Sequence, residues 1–292
     1  MVLPIFAAMH DLGLLLKFRL AFSVVLSSVA GYLLGTPQVQ VLELLILALG
    51  GFAVVGSSNA FNQLWEIQQD SLMLRTQNRP LPSGRMTRRT ALAWALAFGI
   101  LGIAALALLN LKTAGFGALS LLIYVLIYTP LKAKSPWAVL LGAIPGAIPF
   151  MLGWVAATGS FGPESGLLFT YQFVWQFPHF WAIAWMAYDD YARAGYYLLP
   201  NRKKDAQATR LIIFYTVWMI LISLLPAWGF AGQIQLSIWA AAVTLLLGFD
   251  VLYHALRHWS RREDASARAL MFSTIRYLPL VQTIWVIDRF TS

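Results

Sequence analysis

The sequence predicts an all-α polytopic membrane protein with about nine transmembrane helices, and three observations predict it. Hydrophobic residues make up 59% of the chain and charged residues only 11%, whereas soluble domains carry roughly 25% charge. Apolar runs of about 20 residues, the length a helix needs to cross a bilayer, recur with short gaps between them. The basic residues fill alternate gaps: 18 of the 21 Lys and Arg lie in segments that share one side of the membrane, and two lie on the other. That bias is the positive-inside pattern, and it sets the N-terminus and the 18 cations in the cytoplasm.

The elements follow in order. Residues 1–17 lack the basic start and small-residue cleavage site of a secretory signal, and form a short cytoplasmic segment suited to a helix at the interface. Hydropathy places spans at 18–36, 41–69, 88–110, 114–130, 137–157, 166–189, 209–228, 233–255 and 270–290. The second and sixth differ from the rest, beginning apolar and ending polar. The longest gap, 70–87, reads DSLMLRTQNRPLPSGRMT, and Pro80, Pro82 and Gly84 exclude a long continuous helix there. A second cytoplasmic loop, 190–208, is also basic and contains a proline. An odd number of spans puts the two termini on opposite sides. The gaps leave no room for a soluble domain, so residues 1–292 form a single transmembrane domain.

Several function classes fall away. The net charge of +9 sits in topology-setting gaps, which argues against a nucleic-acid partner. The chain has no cysteine, so disulfides, thiolate metal sites and a cysteine nucleophile are excluded. The pattern GxxxxGK[ST] is absent, which argues against a nucleotide-driven pump.

Chemistry concentrates at the polar ends of spans two and six. In SSNAFNQLWEIQQD, Asn59, Asn62, Glu66 and Asp70 fall within about 80° of one another on a helix. Carboxylates inside a membrane are costly and face a cavity or a partner. Oxygen donors at this spacing suit a hard cation such as Mg²⁺, which commonly bridges carboxylates to phosphates. The alternative is that they pair with loop arginines and tie the helix end down. In span six, Gln172, Gln176, His179 and Asp190 share one face, and Pro178 opens space beside His179. His179 is either a functional group or a hydrogen-bonded core residue. Arg75, Arg79 and Lys132 reach the same side, and cations beside acids and a hard metal describe a diphosphate site. Asp250 with Arg276 reads as a structural ion pair, and Asn110 and Gln282 as interhelical hydrogen bonders.

These residues resemble the UbiA superfamily of intramembrane prenyltransferases: NQLWEIQQDSLMLRTQNRPLPSG is similar to its first Asp-rich motif. WQFPHFW at 175–181, DDYARAGYYLLP at 189–200 and YLPLVQ at 277–282 resemble the heme-farnesylating branch, the heme O synthases, and the likeness spans roughly 15 to 290. The resemblance implies nine helices around a central cavity open to the cytoplasm. It implies transfer of a farnesyl group from farnesyl diphosphate to a vinyl group of heme b with addition of water, giving heme O and diphosphate. It implies Mg²⁺ held by Asn62, Glu66, Asp70 and Asp190, diphosphate neutralised by Asn62, Arg75, Arg79 and Lys132, and Asp70, Asp190 and His179 in catalysis. His179 is the candidate for contact with heme. Many members carry DxxxD as the second motif. Here Met186 and Trp185 stand four residues before Asp190 and Asp189, so Asp190 acts alone or through Asp189. The implied setting is the bacterial inner membrane, with a heme A synthase as downstream partner. The competing readings are a quinone-precursor or chlorophyll prenyltransferase and an anion transporter. The transporter is disfavoured because such sites lie near the bilayer midplane.

Overall fold

The computed structural model describes residues 2–292, and the described residues are helical with short connections. The elements are α1 (Val2–Leu15), α2 (Phe18–Gly35), α3 (Val41–Trp65), α4 (Ile67–Leu72), α5 (Arg88–Ala107) and α6 (Leu111–Leu131). After them come α7 (Ala138–Thr158), α8 (Pro163–Met186), α9 (Tyr188–Arg193), α10 (Ala206–Ser223), α11 (Ile238–Arg261) and α12 (Asp264–Thr291). Eight of these are long and apolar enough to cross a membrane. The ninth expected span, α8, is 24 residues long, enough to cross, but falls outside that set. Its polar residues are tolerated because it is packed between α7, α10 and α12, away from lipid.

The long helices form two groups joined by α7. On one side α2, α3, α5 and α6 pack in sequence; on the other α8, α10, α11 and α12 do, and α2 meets α12 to close the ring. The central α7 touches α2, α6 and α8, and it is the most buried of the spans. Its crossing with α2 is backbone-close. A methyl group at Gly153 would collide with the Ser28 carbonyl, and one at Gly31 with the Phe150 carbonyl. Small residues at membrane crossings permit this approach, and van der Waals contact then holds the helices together.

In α7, Pro145 and Pro149 interrupt the hydrogen-bond ladder, which inside a membrane must be repaired locally. Pro149 frees the Pro145 carbonyl, which accepts from Ser120 Oγ at 3.3 Å. Gln172 Nε2 donates to the Gly146 carbonyl at 2.9 Å and Gln176 Nε2 to the Ala143 carbonyl at 2.8 Å. Gln282 exchanges hydrogen bonds with Ser27, and Asn110 donates to the Val155 carbonyl, so both act as interhelical ties. Asp250 and Arg276 pair at 3.4 Å on the outer surface.

The two polar spans are both broken. At Glu66 (φ −100°, ψ 20°) α3 gives way to α4, and at Ala187 (φ −92°, ψ 14°) α8 gives way to α9. The short helices α4 and α9 touch each other at the basic end of the bundle. The 70–87 loop between them and α5 is compact: Met73 and Leu81 are buried, and Arg85 Nε donates to both oxygens of Asp11 at 3.0 and 3.1 Å.

Candidate active site

At the basic end, α1–α2, α3–α4, α6 and the loop after α9 enclose a cavity of about 130 Å³. The break at Glu66 does not disturb its acidic wall. The Glu66 amide bonds the Asn62 carbonyl at 3.0 Å and the Asp70 amide bonds the Glu66 carbonyl at 2.7 Å. Asn62, Glu66 and Asp70 therefore stay stacked one turn apart and line the cavity together. Asn59, on the same helical face, instead donates to the Leu16 carbonyl at 3.2 Å and holds the α1–α2 turn.

Each carboxylate faces a cation. Arg79 Nη1 donates to both oxygens of Asp70, at 2.9 and 2.8 Å, and the Asp70 side chain is 1% exposed. Lys132 Nζ lies 2.5 Å from Glu66 Oε1. The two form a buried ion pair. Arg75 and Lys17 also line the cavity, making four cations against two carboxylates. The excess favours an anion of high charge.

Aromatic residues complete the wall. In α6 the stretch Ile123–Tyr128 is π-helical, and the Thr129 hydroxyl donates to the Tyr124 carbonyl at 2.8 Å. Pro130 lacks the N–H that an α-helix needs there, and the wide turn accommodates its absence; such turns recur at functional sites. The result brings Tyr124 and Tyr128 side by side, with ring centroids 5.1 Å apart. Lys132 Nζ lies 4.9 Å from the Tyr128 ring and 5.6 Å from that of Tyr196, and Arg75 lies 5.8 Å from Tyr191. These are cation–π contacts. Burial pushes the Tyr196 phenol above its usual range, and the neighbouring Glu66 adds to the shift.

Lys17 stands in the turn between α1 and α2 in the left-handed region, φ 50°. Its Nζ donates to Asn62 Oδ1 at 3.3 Å. Burial, with the Arg79 and Lys132 charges, pulls its ammonium down from 10.5 to about 7. Sequence reasoning treated this lysine as a topology determinant, since a lone cation before a first span looks like any other. Tyr124, Tyr128 and Tyr196 were also missed. The i, i+4 spacing of the first two was the available signal.

Two expected site residues lie elsewhere. Asp190 belongs to α9, but its Oδ1 accepts from the Leu74 amide at 2.7 Å and from Arg193 at 2.9 Å, and its Oδ2 from the Arg75 amide at 3.4 Å. With its oxygens turned to these donors it does not line the cavity. Among the described residues no three acidic or histidine side chains converge as a metal cluster, so a set of Asn62, Glu66, Asp70 and Asp190 is not assembled. Asp189 is exposed. His179 is hydrogen-bonded through Nδ1 to Thr274 Oγ1 at 2.9 Å and stacked on Trp175 with ring centroids 4.8 Å apart. It is half-buried and lines neither the acidic cavity nor its rim.

The remaining donors fit a hard metal. Two carboxylates and an amide oxygen on one wall are the hard oxygen donors that such an ion takes.

Residues 24–275 match the model of the UbiA prenyltransferase family. The chain belongs to that family. A UbiA prenyltransferase of this kind has close relatives: the chain is 49% identical over 287 residues to protoheme IX farnesyltransferase of Christiangramia forsetii, covering 98% of this chain and 96% of that one. It is 50% identical over 277 residues to the protein of the same name from Flavobacterium johnsoniae, covering 94% and 92%. Among solved structures, that of a digeranylgeranylglyceryl phosphate synthase matches with TM-score 0.79 at 17% identity, covering 97% of this chain and 99% of that one. A UbiA homolog from Archaeoglobus fulgidus bound to GPP and Mg²⁺ matches with TM-score 0.69 at 15% identity, covering 97% and 100%. These structural likenesses show a shared fold.

Proposed function

We propose that the chain transfers the farnesyl group of farnesyl diphosphate to a vinyl group of heme b, adding water and releasing heme O and diphosphate. The observation that carries the site is the single cavity in which Glu66 and Asp70 face Lys132 and Arg79, with Arg75 and Lys17 alongside. The acceptor is supported by relatives at 46–50% identity that carry the name protoheme IX farnesyltransferase.

Asn62, Glu66 and Asp70 would hold Mg²⁺ in this reading, and the metal would supply neutralisation of the charge that builds on the leaving diphosphate. Arg79 and Lys132, on the same cavity, would meet the phosphate oxygens, the arginine as a two-donor fork. Arg75, Arg79, Lys132 and Lys17 stabilise the leaving group where its charge develops. Asp190, through the Leu74 and Arg75 amides, positions Arg75 for this work. The C–O bond of the allylic donor breaks, and the cation faces the rings of Tyr124, Tyr128 and Tyr196, which favour positive charge and exclude water. A C–C bond then forms to the vinyl carbon of heme. Water adds to the cation beside the macrocycle and loses a proton, leaving a hydroxyl.

The basic end faces the cytoplasm of a bacterial inner membrane in this reading, and the product passes to a heme A synthase. The test is incubation of purified protein with heme b, farnesyl diphosphate and Mg²⁺, followed by mass analysis of the pigment. A farnesyl-plus-water adduct with stoichiometric diphosphate supports the reading. Recovery of unchanged heme rejects it.

A further inference from the structure

The diphosphate cavity, at about 130 Å³, is too small for a tetrapyrrole; sites for ligands of even modest size run to roughly 300–1,000 Å³. A second cavity of about 580 Å³ opens between α7, α8 and α10 at the same end of the bundle. Its inner wall is aromatic. Phe177, Trp181 and Tyr215 pack together, with centroids 4.2 Å apart for Phe177–Tyr215 and 5.3 Å for Phe177–Trp181. Its rim is polar and carries one guanidinium, that of Arg202.

Arg202 is held in place at a cost. It adopts φ 59°, a left-handed backbone uncommon for a residue with a Cβ. The Tyr188 hydroxyl donates to its carbonyl at 2.9 Å, and its own Nη2 donates to the Lys134 carbonyl at 3.2 Å. Those bonds leave most of its five donors free. Strain kept by surrounding contacts is a mark of a working position. One stretch of chain also walls both cavities: Tyr196 and Leu198 line the smaller one, Pro200 and Arg202 the larger groove.

Resting on the heme-farnesylating reading, we infer that this groove is where the acceptor macrocycle docks, its flat face against Phe177, Trp181 and Tyr215 and a propionate on Arg202. A planar dicarboxylate with an apolar body matches an aromatic wall under a cationic rim in shape and charge. No histidine lines the groove among the described residues, so recognition is by face and carboxylate and not by the iron.

The test uses the full-length protein in phosphatidylcholine nanodiscs, titrated with heme b and assayed for the KM of each substrate. Arg202→Gly removes the charge and frees the backbone, because glycine enters the left-handed region without strain. It should weaken heme binding about tenfold, the scale of one lost charge-assisted bond, with thermal stability no lower and the KM for farnesyl diphosphate unchanged. A merely structural Arg202 would leave heme affinity alone. Leu140→Trp, which fills the groove from α7, should weaken heme binding at least as much. Metal-free protoporphyrin should compete as well as heme, and its dimethyl ester should bind wild type and Arg202→Gly alike. Unchanged heme affinity in both variants overturns the inference, as does an Arg202 effect that follows added anionic phospholipid and not heme. If farnesylated heme forms with an unaltered heme KM in both variants, the groove assignment fails alone. If no farnesylated heme forms at all, yet the variants still lose heme binding, the functional reading fails and the groove stands.

Discussion

The ends of α3 and α8 are built alike. Each long helix breaks without a proline at the break, continues as a six-residue helix, and leads into a basic, proline-containing loop. Their chemistry differs. On the α3–α4 side, Asn62, Glu66 and Asp70 are buried on one wall with cations opposite. On the α8–α9 side, Asp190 serves backbone amides of the first loop and Asp189 is exposed. One broken helix carries the reactive wall and the other braces it. The geometric reason is register: in α3–α4 the polar residues recur every four positions across the break, while in α8–α9 the position four before Asp190 is Met186.

The sharpest way to break this contrast is to remove one acid from each side. Asp70→Asn should lower kcat on the order of 10³-fold, the scale for removing a group that stabilises transition-state charge, while the protein still inserts and folds. Asp190→Asn should cost about tenfold, and in KM for farnesyl diphosphate more than in kcat, because it loosens Arg75 through the Leu74 and Arg75 amides. Steady-state kinetics with Mg²⁺ titration decide. If Asp190→Asn matches Asp70→Asn in kcat and raises the Mg²⁺ requirement, both helices carry the metal and the contrast is wrong.

Hydropathy and charge bias made the spans legible, because bilayer thickness and loop charge act on sequence directly. The first acidic wall was legible for a related reason: Asn62, Glu66 and Asp70 keep helical spacing even through the break at Glu66. What could not be read were contacts made across the bundle. Nothing local to Asp190 shows that its carboxylate caps Leu74, a partner 116 residues away. Nothing local to Lys17 shows that a left-handed turn sends its ammonium to Asn62. The glutamines of α8 have the same origin, since Gln172 and Gln176 donate to carbonyls of the neighbouring α7.

Lys17 sharpens the contrast through pH. Its ammonium titrates near 7 in the folded protein and at 10.5 as a free lysine. Between these values the unfolded chain binds more protons, so this group makes stability rise with pH across that window and contributes no slope below about 7. A diphosphate anion reverses the local field and should raise the Lys17 value, so binding at pH 8 should take up a proton. Calorimetry in two buffers of different ionisation heat measures this. Lys17→Met should abolish the uptake and weaken diphosphate binding about tenfold at pH 6.5, where the wild-type side chain is charged. Uptake that persists in Lys17→Met would move the titration to another group on the reactive wall.

The smallest effect should come from His179, the one imidazole in the broken α8. His179→Phe keeps the ring stack on Trp175 and removes the hydrogen bond to Thr274. The Thr274 hydroxyl also donates to the Met271 carbonyl at 2.7 Å, so it is not stranded by the change. The cost should therefore stay near 1 kcal/mol, that of one ordinary hydrogen bond. Thermal unfolding in detergent reads that cost, and a Soret titration reads heme affinity, which should not move. A tenfold loss of heme affinity at unchanged stability would give α8 a ligand-binding group of its own, and the division between a reactive helix and a bracing one would no longer hold.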